Sequence, residues 1–97
     1  MILSFRDTAS EDLFNGRDSK AARGRLPRTP WTIASRKLDA VDQADELADL
    51  KVPPGNRLEA LRGDRAGQHS IRINDQYRIC FRWTEAGPSD VEVVDHH

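Results

Sequence analysis

The stretch HSIRINDQYRICFRW, residues 69–83, alternates between apolar and polar side chains with a period of two. This alternation is typical of β-strands that bury one face and expose the other. The polar residues at 74–76 interrupt the pattern and have the composition of a turn. The sequence therefore predicts two strands joined as a β-hairpin.

The length of the turn decides which residues of the hairpin face each other. A three-residue loop pairs Ile73 with Tyr77 and Arg72 with Arg78, which keeps the apolar side chains on one face. A two-residue loop would set apolar side chains opposite arginines and mix the two faces. We therefore predict the three-residue loop. It places like charges side by side, which destabilises a sheet unless carboxylates or a bound anion offset them.

The N-terminal half of the chain has helical spacing. A short strand is predicted at 2–5, and Asp7 or Thr8 is expected to cap a first helix that ends near Gly16. Thr29-Pro30 is a start signal for a longer helix. The apolar residues of that helix recur at spacings of three, four and three: Trp31, Ala34, Leu38 and Val41.

Beyond Pro53-Pro54-Gly55 the period of two returns. Helices followed by an antiparallel meander predict an α+β fold, with the helices packed on one face of a small sheet. A chain of 97 residues suits a single domain spanning 1–97. The remaining strands are predicted at 57–61 and 91–94, with turns at 63–67 and 86–89.

Composition narrows the class of protein. No apolar run is long enough to cross a membrane, and no signal-peptide pattern is present. Cys80 is the only cysteine, so an internal disulfide is excluded and a cytoplasmic location is expected. The Cys80 side chain is expected to pack beneath the arginines and to be unreactive. His69, His96 and His97 lack the spacing of a zinc site, and we expect neither a metal nor another cofactor.

The net charge of −1 conceals basic and acidic segments. Residues 17–37 hold seven Arg and Lys against one acidic residue, and residues 38–50 hold five acidic residues and no basic one. The basic segment is either a solvated surface or a docking surface for an acidic partner or a polyanion.

The arginines and the C-terminal histidines together suggest a reaction. RNA is cleaved without metal when its 2′-hydroxyl attacks the adjacent phosphate, which requires a base, an acid and fixed positive charge. Histidine suits the proton transfers, and arginine suits the phosphate. Two simpler explanations stay open: arginines that only pair with acids, and terminal histidines that are a frayed tail or a tag remnant.

Four runs carry a resemblance to a known family: 53–64 (PPGNRLEALRGD), 67–74 (GQHSIRIN), 77–81 (YRICF) and 94–97 (VDHH). They resemble the HigB-type toxins of the RelE/ParE superfamily, in particular the GraT-like variant. The resemblance implies a RelE-like fold and an endoribonuclease that cuts mRNA on the ribosome and inhibits translation. It also implies a cognate helix-turn-helix antitoxin of the HigA-like type, in a complex expected to be heterotetrameric.

The same resemblance implies which residues act. The family's functional basic residues fall on Arg62 and Arg78, and its C-terminal cluster falls on Asp95, His96 and His97. Glu59 stands where many members have histidine, and His96 where many have tyrosine, so the general base stays open among Glu59, His96 and His97. The remaining arginines are expected to follow flanking phosphates or to pair with acids: Arg57, Arg65, Arg72 and Arg82.

Two other functions stay open. ParE-type members of the superfamily inhibit DNA gyrase without nuclease activity, but such an inhibitor has no need of the proton-transfer groups in the tail. The other is a catalytically weak protein that only binds an antitoxin, which the glutamate at position 59 keeps open.

Overall fold

The computed structural model describes residues 1–95, so His96 and His97 lie outside it. Three α-helices come first: α1 Thr8–Phe14, α2 Lys20–Arg25 and α3 Trp31–Gln43. The strands follow: β1 Glu59–Ala60, β2 His69–Arg72, β3 Tyr77–Thr84 and β4 Gly87–Asp95. Short 3₁₀ helices lie at Leu47–Lys51, Pro54–Asn56 and Gly63–Arg65.

The four strands form one antiparallel sheet in the order β1-β2-β3-β4, which confirms the meander and the α+β fold. The hairpin has the predicted register, with Arg72 opposite Arg78. The backbone N–H of Ile73 bonds the carbonyl of Tyr77 at 2.9 Å, which closes the three-residue loop. Inside the loop, the side-chain oxygen of Asn74 accepts the backbone N–H groups of Gln76 and Tyr77 at 2.9 and 2.8 Å.

The core lies between the helices and one face of the sheet. The predicted apolar face of α3 is buried at Ala34, Leu38 and Val41. Full burial of Leu38 and Val41 contributes about 1.5–3 kcal/mol each to stability. The sheet supplies the other half of the core: Ile71, Ile79, Phe81, Val91 and Val93.

Three predicted boundaries were wrong. The segment 2–5 forms no strand of its own: within it, only Phe5 makes a bridge, a parallel one to Val91. The strand predicted at 57–61 has only two residues, because Arg57 adopts a left-handed backbone with φ 48°. The turn predicted at 86–89 lies earlier, and β4 already contains Gly87 and Pro88.

Proline is tolerated at position 88 because of where it lies in the sheet. The carbonyl of Pro88 accepts the backbone N–H of Leu3 at 2.8 Å. The nitrogen of Pro88 faces the same way, away from β3, so the missing N–H costs the sheet no hydrogen bond. A bulge follows at Asp90, the extra residue of β4 opposite Cys80–Arg82, and its left-handed φ of 51° accommodates the shift in register. In the described chain, no helix is long and apolar enough to cross a membrane.

An arginine joins the first two helices to the last strand. Arg25 donates from Nη1 to the Asp7 carboxylate at 2.8 Å and to the carbonyl of Val93 at 3.0 Å. The hydroxyl of Ser10 accepts the N–H of Val93 at 3.0 Å. Burial alone would raise the pKa of Asp7, but hydrogen bonds from Ser10 and Arg25 outweigh it and lower that pKa.

We expect Asp7→Asn to keep the helix cap on Ser10 but to lose the charge that faces Arg25. A carboxylate with a depressed pKa in the folded state adds stability above its unfolded pKa of about 3.9, and this stability is lost as the pH falls through the folded value. The variant should be less stable than the wild type at pH 7, by up to about 1 kcal/mol. Urea unfolding should show the difference shrinking below about pH 4; a difference independent of pH contradicts the assignment.

Candidate active site on the open face of the sheet

The sheet face that points away from the helices is polar, and we call it the open face. The strand register puts Arg72 beside Arg78 in one row, and Ser70 beside Cys80 in the next. The residues of the open face include Glu59, Ser70, Arg72, Arg78, Cys80 and Glu92, and the apolar Val94 lies opposite Arg78. The arginine cluster expected from the sequence is therefore present, and acidic side chains stand within it.

Arg78 is buried in the open face, with only 8% of its surface exposed. Its Nε donates to the hydroxyl of Ser70 at 2.8 Å, and its Nη2 donates to the carbonyl of Arg57 at 2.8 Å. The same Nη2 lies 3.2 Å from the carboxylate of Glu59. These contacts hold the guanidinium in one orientation before any ligand arrives.

Two cavities of about 290 Å³ each meet at Arg78. The first, which we call the Arg62 groove, also contains Arg62, Arg65 and Asp95, with Ser70 and Cys80 among its other lining residues. The second, which we call the Arg57 groove, is lined by five residues: Arg57, Arg72, Asn74, Asp75 and Arg78.

Carboxylates offset much of the positive charge on this side of the protein. Besides the pair of Arg78 and Glu59, three further arginines of the described chain pair with carboxylates here: Arg65 with Glu92 at 3.1 Å, Arg82 with Asp90 at 3.7 Å, and Arg72 with Asp75. Glu92 also lies 3.8 Å from Arg6. Within residues 1–95, Arg57 and Arg62 have no such partner. The two unpaired arginines lie in different grooves, one on each side of Arg78.

The structure brings together most of the residues implied by the family resemblance. Arg62, Arg78 and Asp95 share the Arg62 groove, and Glu59 joins them through its ion pair. Asp95 accepts a hydrogen bond from Gln76 at 3.2 Å. Arg65 lies in the same groove but also bonds Gln68, whereas Arg82 lines neither groove. His96 and His97 lie outside the described residues.

Ser70 was missed by the sequence reasoning. It is fully buried, and its hydroxyl is the partner of the Arg78 Nε. The signal was present in the alternation, which puts position 70 on the polar side of the strand with Arg72. What the sequence did not show is that Arg78 would be buried and would therefore need an acceptor.

Cys80 forms part of the floor of the Arg62 groove. Burial raises the pKa of its thiol, so the thiol stays protonated and unreactive near neutral pH. The burial of Cys80 confirms its predicted packing beneath the arginines. Across residues 1–95, no group of three or more His, Cys, Asp and Glu side chains is arranged to hold a metal ion.

The basic segment 17–37 is partly neutralised by ion pairs with nearby aspartates. Arg23 and Arg28 both pair with Asp18, at 2.7 and 2.5 Å. The hydrogen bond from Arg23 is the main cause of the lowered pKa of Asp18. Arg25 is occupied by Asp7 and the backbone of β4.

The fold agrees with what comparison with known proteins shows. A family model described as the RelE-like toxin of the type II toxin–antitoxin system HigB matches residues 3–97. The chain belongs to this family. Toxin HigB-1 of Vibrio cholerae serotype O1 is 40% identical to this HigB-like toxin over 85 residues, 88% of the chain and 86% of the relative.

A second relative carries an enzyme name. Endoribonuclease HigB of Proteus vulgaris is 28% identical over 97 residues, which is the full length of both chains. The toxin family is thus established for this chain.

We expect Ser70→Ala to destabilise the protein by about 1–3 kcal/mol, because it leaves the buried Nε of Arg78 without an acceptor. Ser89→Ala is the matched control: Ser89 lies on the same sheet, has no side-chain hydrogen bond to a described residue, and should change stability by less than about 0.5 kcal/mol. Urea unfolding measures both. Equal effects of the two substitutions would show that Ser70 does not hold Arg78.

Proposed function

We propose that this HigB-like toxin is a metal-independent endoribonuclease that cleaves mRNA on the ribosome. The observation that supports this best is the convergence of Arg62, Arg65 and Arg78 on one groove that reaches Asp95. Cleavage proceeds by attack of the RNA 2′-hydroxyl on the adjacent phosphate, with inhibition of translation as the result.

The arginines divide the work on the phosphate. Arg78 is held by Ser70 and the carbonyl of Arg57, so it meets the scissile phosphate without first having to be ordered. Arg62 is exposed and has no ion pair to a described residue, so it can close on the pentavalent phosphate as charge develops. Preorganised donors such as Arg78 are commonly the largest single contribution to catalysis.

Proton transfer falls to the acidic side chains around the groove and to the two histidines that follow Asp95 in the sequence. Glu59 has its carboxylate 3.2 Å from Arg78, within reach of a nucleotide bound there. Asp95 lines the groove and immediately precedes His96 and His97 in the chain. Histidine titrates near neutral pH, which suits it to act as the base for the 2′-hydroxyl or as the acid for the leaving 5′-oxygen.

The charge pattern supports dependence on the ribosome. The net charge is −1, and four arginines near the sheet are already paired with carboxylates. Free RNA is therefore expected to bind weakly, because non-specific affinity comes mostly from neutralising phosphates. We further propose a HigA-like helix-turn-helix antitoxin as partner, in a heterotetrameric complex, and a cytoplasmic location.

Primer extension on a translated message, with and without induction of the toxin, tests the proposal. Discrete cuts within codons are expected, and the purified protein should cut ribosome-bound mRNA at concentrations that leave naked mRNA intact. Loss of DNA supercoiling without cuts would instead identify a gyrase inhibitor of the ParE type. If neither cuts nor loss of supercoiling is seen and an antitoxin still binds, the protein is a catalytically weak antitoxin-binding partner.

We expect Arg62→Ala to lower the single-turnover rate of cleavage about a hundred- to a thousand-fold, the usual cost of losing one transition-state donor. Stability should change little, because Arg62 is exposed and makes no ion pair to the described residues. Arg82→Ala is the matched control, since Arg82 is also an exposed arginine of this side but lines neither groove. Similar rates for the two variants would remove Arg62 from the reaction.

We expect His97→Gln to reduce cleavage by about a hundred- to ten-thousand-fold without weakening binding to the ribosome. Glutamine forms hydrogen bonds but does not transfer protons near neutral pH. The pH dependence of the wild-type rate should show a titration near the histidine pKa that the variant lacks. A rate within a few-fold of wild type would leave Glu59 and His96 as the proton carriers and would fit a tag remnant at position 97.

A further inference from the structure

The Arg57 groove lies on the other side of Arg78 from Asp95 and has its own polar lining. It is lined by three arginines and one aspartate, which together carry a formal charge of +2. Like charges across neighbouring strands repel, and Arg72 and Arg78 are direct cross-strand partners. Such an arrangement suits a bound anion better than an empty surface.

The backbone at Arg57 is shaped around this groove. Its left-handed conformation, with φ 48°, is uncommon for a residue other than glycine. This conformation lets the carbonyl of Arg57 accept Nη2 of Arg78 at 2.8 Å, while the Arg57 side chain lines the same cavity. One residue thus both anchors Arg78 and adds a second guanidinium beside it.

Asn74 completes the lining with a hydrogen-bond donor. Its side-chain oxygen is occupied by the backbone N–H groups of Gln76 and Tyr77. The amide NH₂ group is therefore the part of Asn74 that can serve a ligand in the groove. The planar guanidinium groups in this groove, together with the Asn74 amide donor, match the oxygens of a phosphate.

We infer that the Arg57 groove is a second phosphate subsite, which takes the phosphodiester next to the scissile one in single-stranded RNA. Arg78 lies between the two grooves, so the RNA backbone crosses the protein over Arg78. The inference rests on the proposed function for the identity of the ligand, but its binding test does not require cleavage.

Asp75 controls entry to this subsite. Its carboxylate pairs with Arg72, yet its side chain is 98% exposed, so the pair can be exchanged for a phosphate at little cost. Removing this carboxylate should therefore strengthen binding in the groove. Asp90, which pairs with Arg82 outside both grooves, offers the same change of net charge without that effect.

The test uses uncleavable 2′-O-methyl RNA, a trinucleotide with two phosphodiesters and a dinucleotide with one, titrated into the full-length protein. Binding is followed by NMR through the arginine Nε–H signals, which detects weak complexes. The wild type should bind the trinucleotide about tenfold more tightly than the dinucleotide, as expected for one added charge-assisted contact. Inorganic phosphate should bind more weakly than either.

Substitutions then locate the second contact. Arg57→Gln combined with Arg72→Gln should abolish the advantage of the trinucleotide, and Arg57→Gln alone should reduce it if the double variant does not fold. Arg82→Gln should leave the advantage intact. Asp75→Asn should tighten trinucleotide binding several-fold, whereas Asp90→Asn should not.

Several results would overturn the subsite. These are an equal affinity of the wild type for the two oligonucleotides, a full advantage retained by the double variant, and equal gains from Asp75→Asn and Asp90→Asn. Inorganic phosphate that binds as tightly as the trinucleotide would assign the groove to free phosphate. A protein that passes this test but cuts no ribosome-bound mRNA would retain the subsite and lose the proposed nuclease function.

Discussion

A buried guanidinium needs hydrogen-bond acceptors close by, and at Arg78 this requirement organises the open face. An uncompensated charge in such a position costs several kcal/mol, so its partners must come from the surrounding chain. They come from three places: Ser70 on β2, the carbonyl of Arg57 before β1, and the carboxylate of Glu59 on β1. The edge of the sheet and the centre of the open face are thereby joined at one side chain.

The ion pairs around Arg78 differ in how easily they can be exchanged. Glu92 is only 15% exposed and holds Arg65 in place, so this pair acts as part of the framework. Glu59 and Asp75 are 52% and 98% exposed, so water screens their attraction to Arg78 and Arg72. In the function proposed above, a phosphate of the RNA replaces these two carboxylates, which until then keep the arginines of the free protein together.

The hairpin could be read from the sequence because its information is local. Alternation with a period of two and the length of the 74–76 loop determine the register, and the pairing of Arg72 with Arg78 follows. The long helix was predictable for the same reason, since the spacing of Trp31, Ala34, Leu38 and Val41 marks its apolar side.

The errors arose where the chain depends on distant contacts. The left-handed backbone of Arg57 shortens the strand predicted at 57–61, and its carbonyl is needed by Arg78, twenty-one residues away. Pro88 looks like a turn residue but is accommodated in β4 because its nitrogen faces away from β3, on the side where its carbonyl accepts the N–H of Leu3. Within the candidate site, residue types were predictable, whereas the burial of Arg78 and the role of Ser70 depend on the packed sheet.

The account depends most on the geometry of Arg78, which Arg78→Lys tests directly. Lysine keeps the positive charge but cannot serve Ser70, the Arg57 carbonyl and a phosphate with a planar fork. We expect single-turnover cleavage of ribosome-bound mRNA to fall by about a hundredfold or more, while circular dichroism and thermal unfolding confirm a folded protein. Cleavage within a few-fold of the wild-type rate by the folded variant would contradict the account, because charge alone would then suffice.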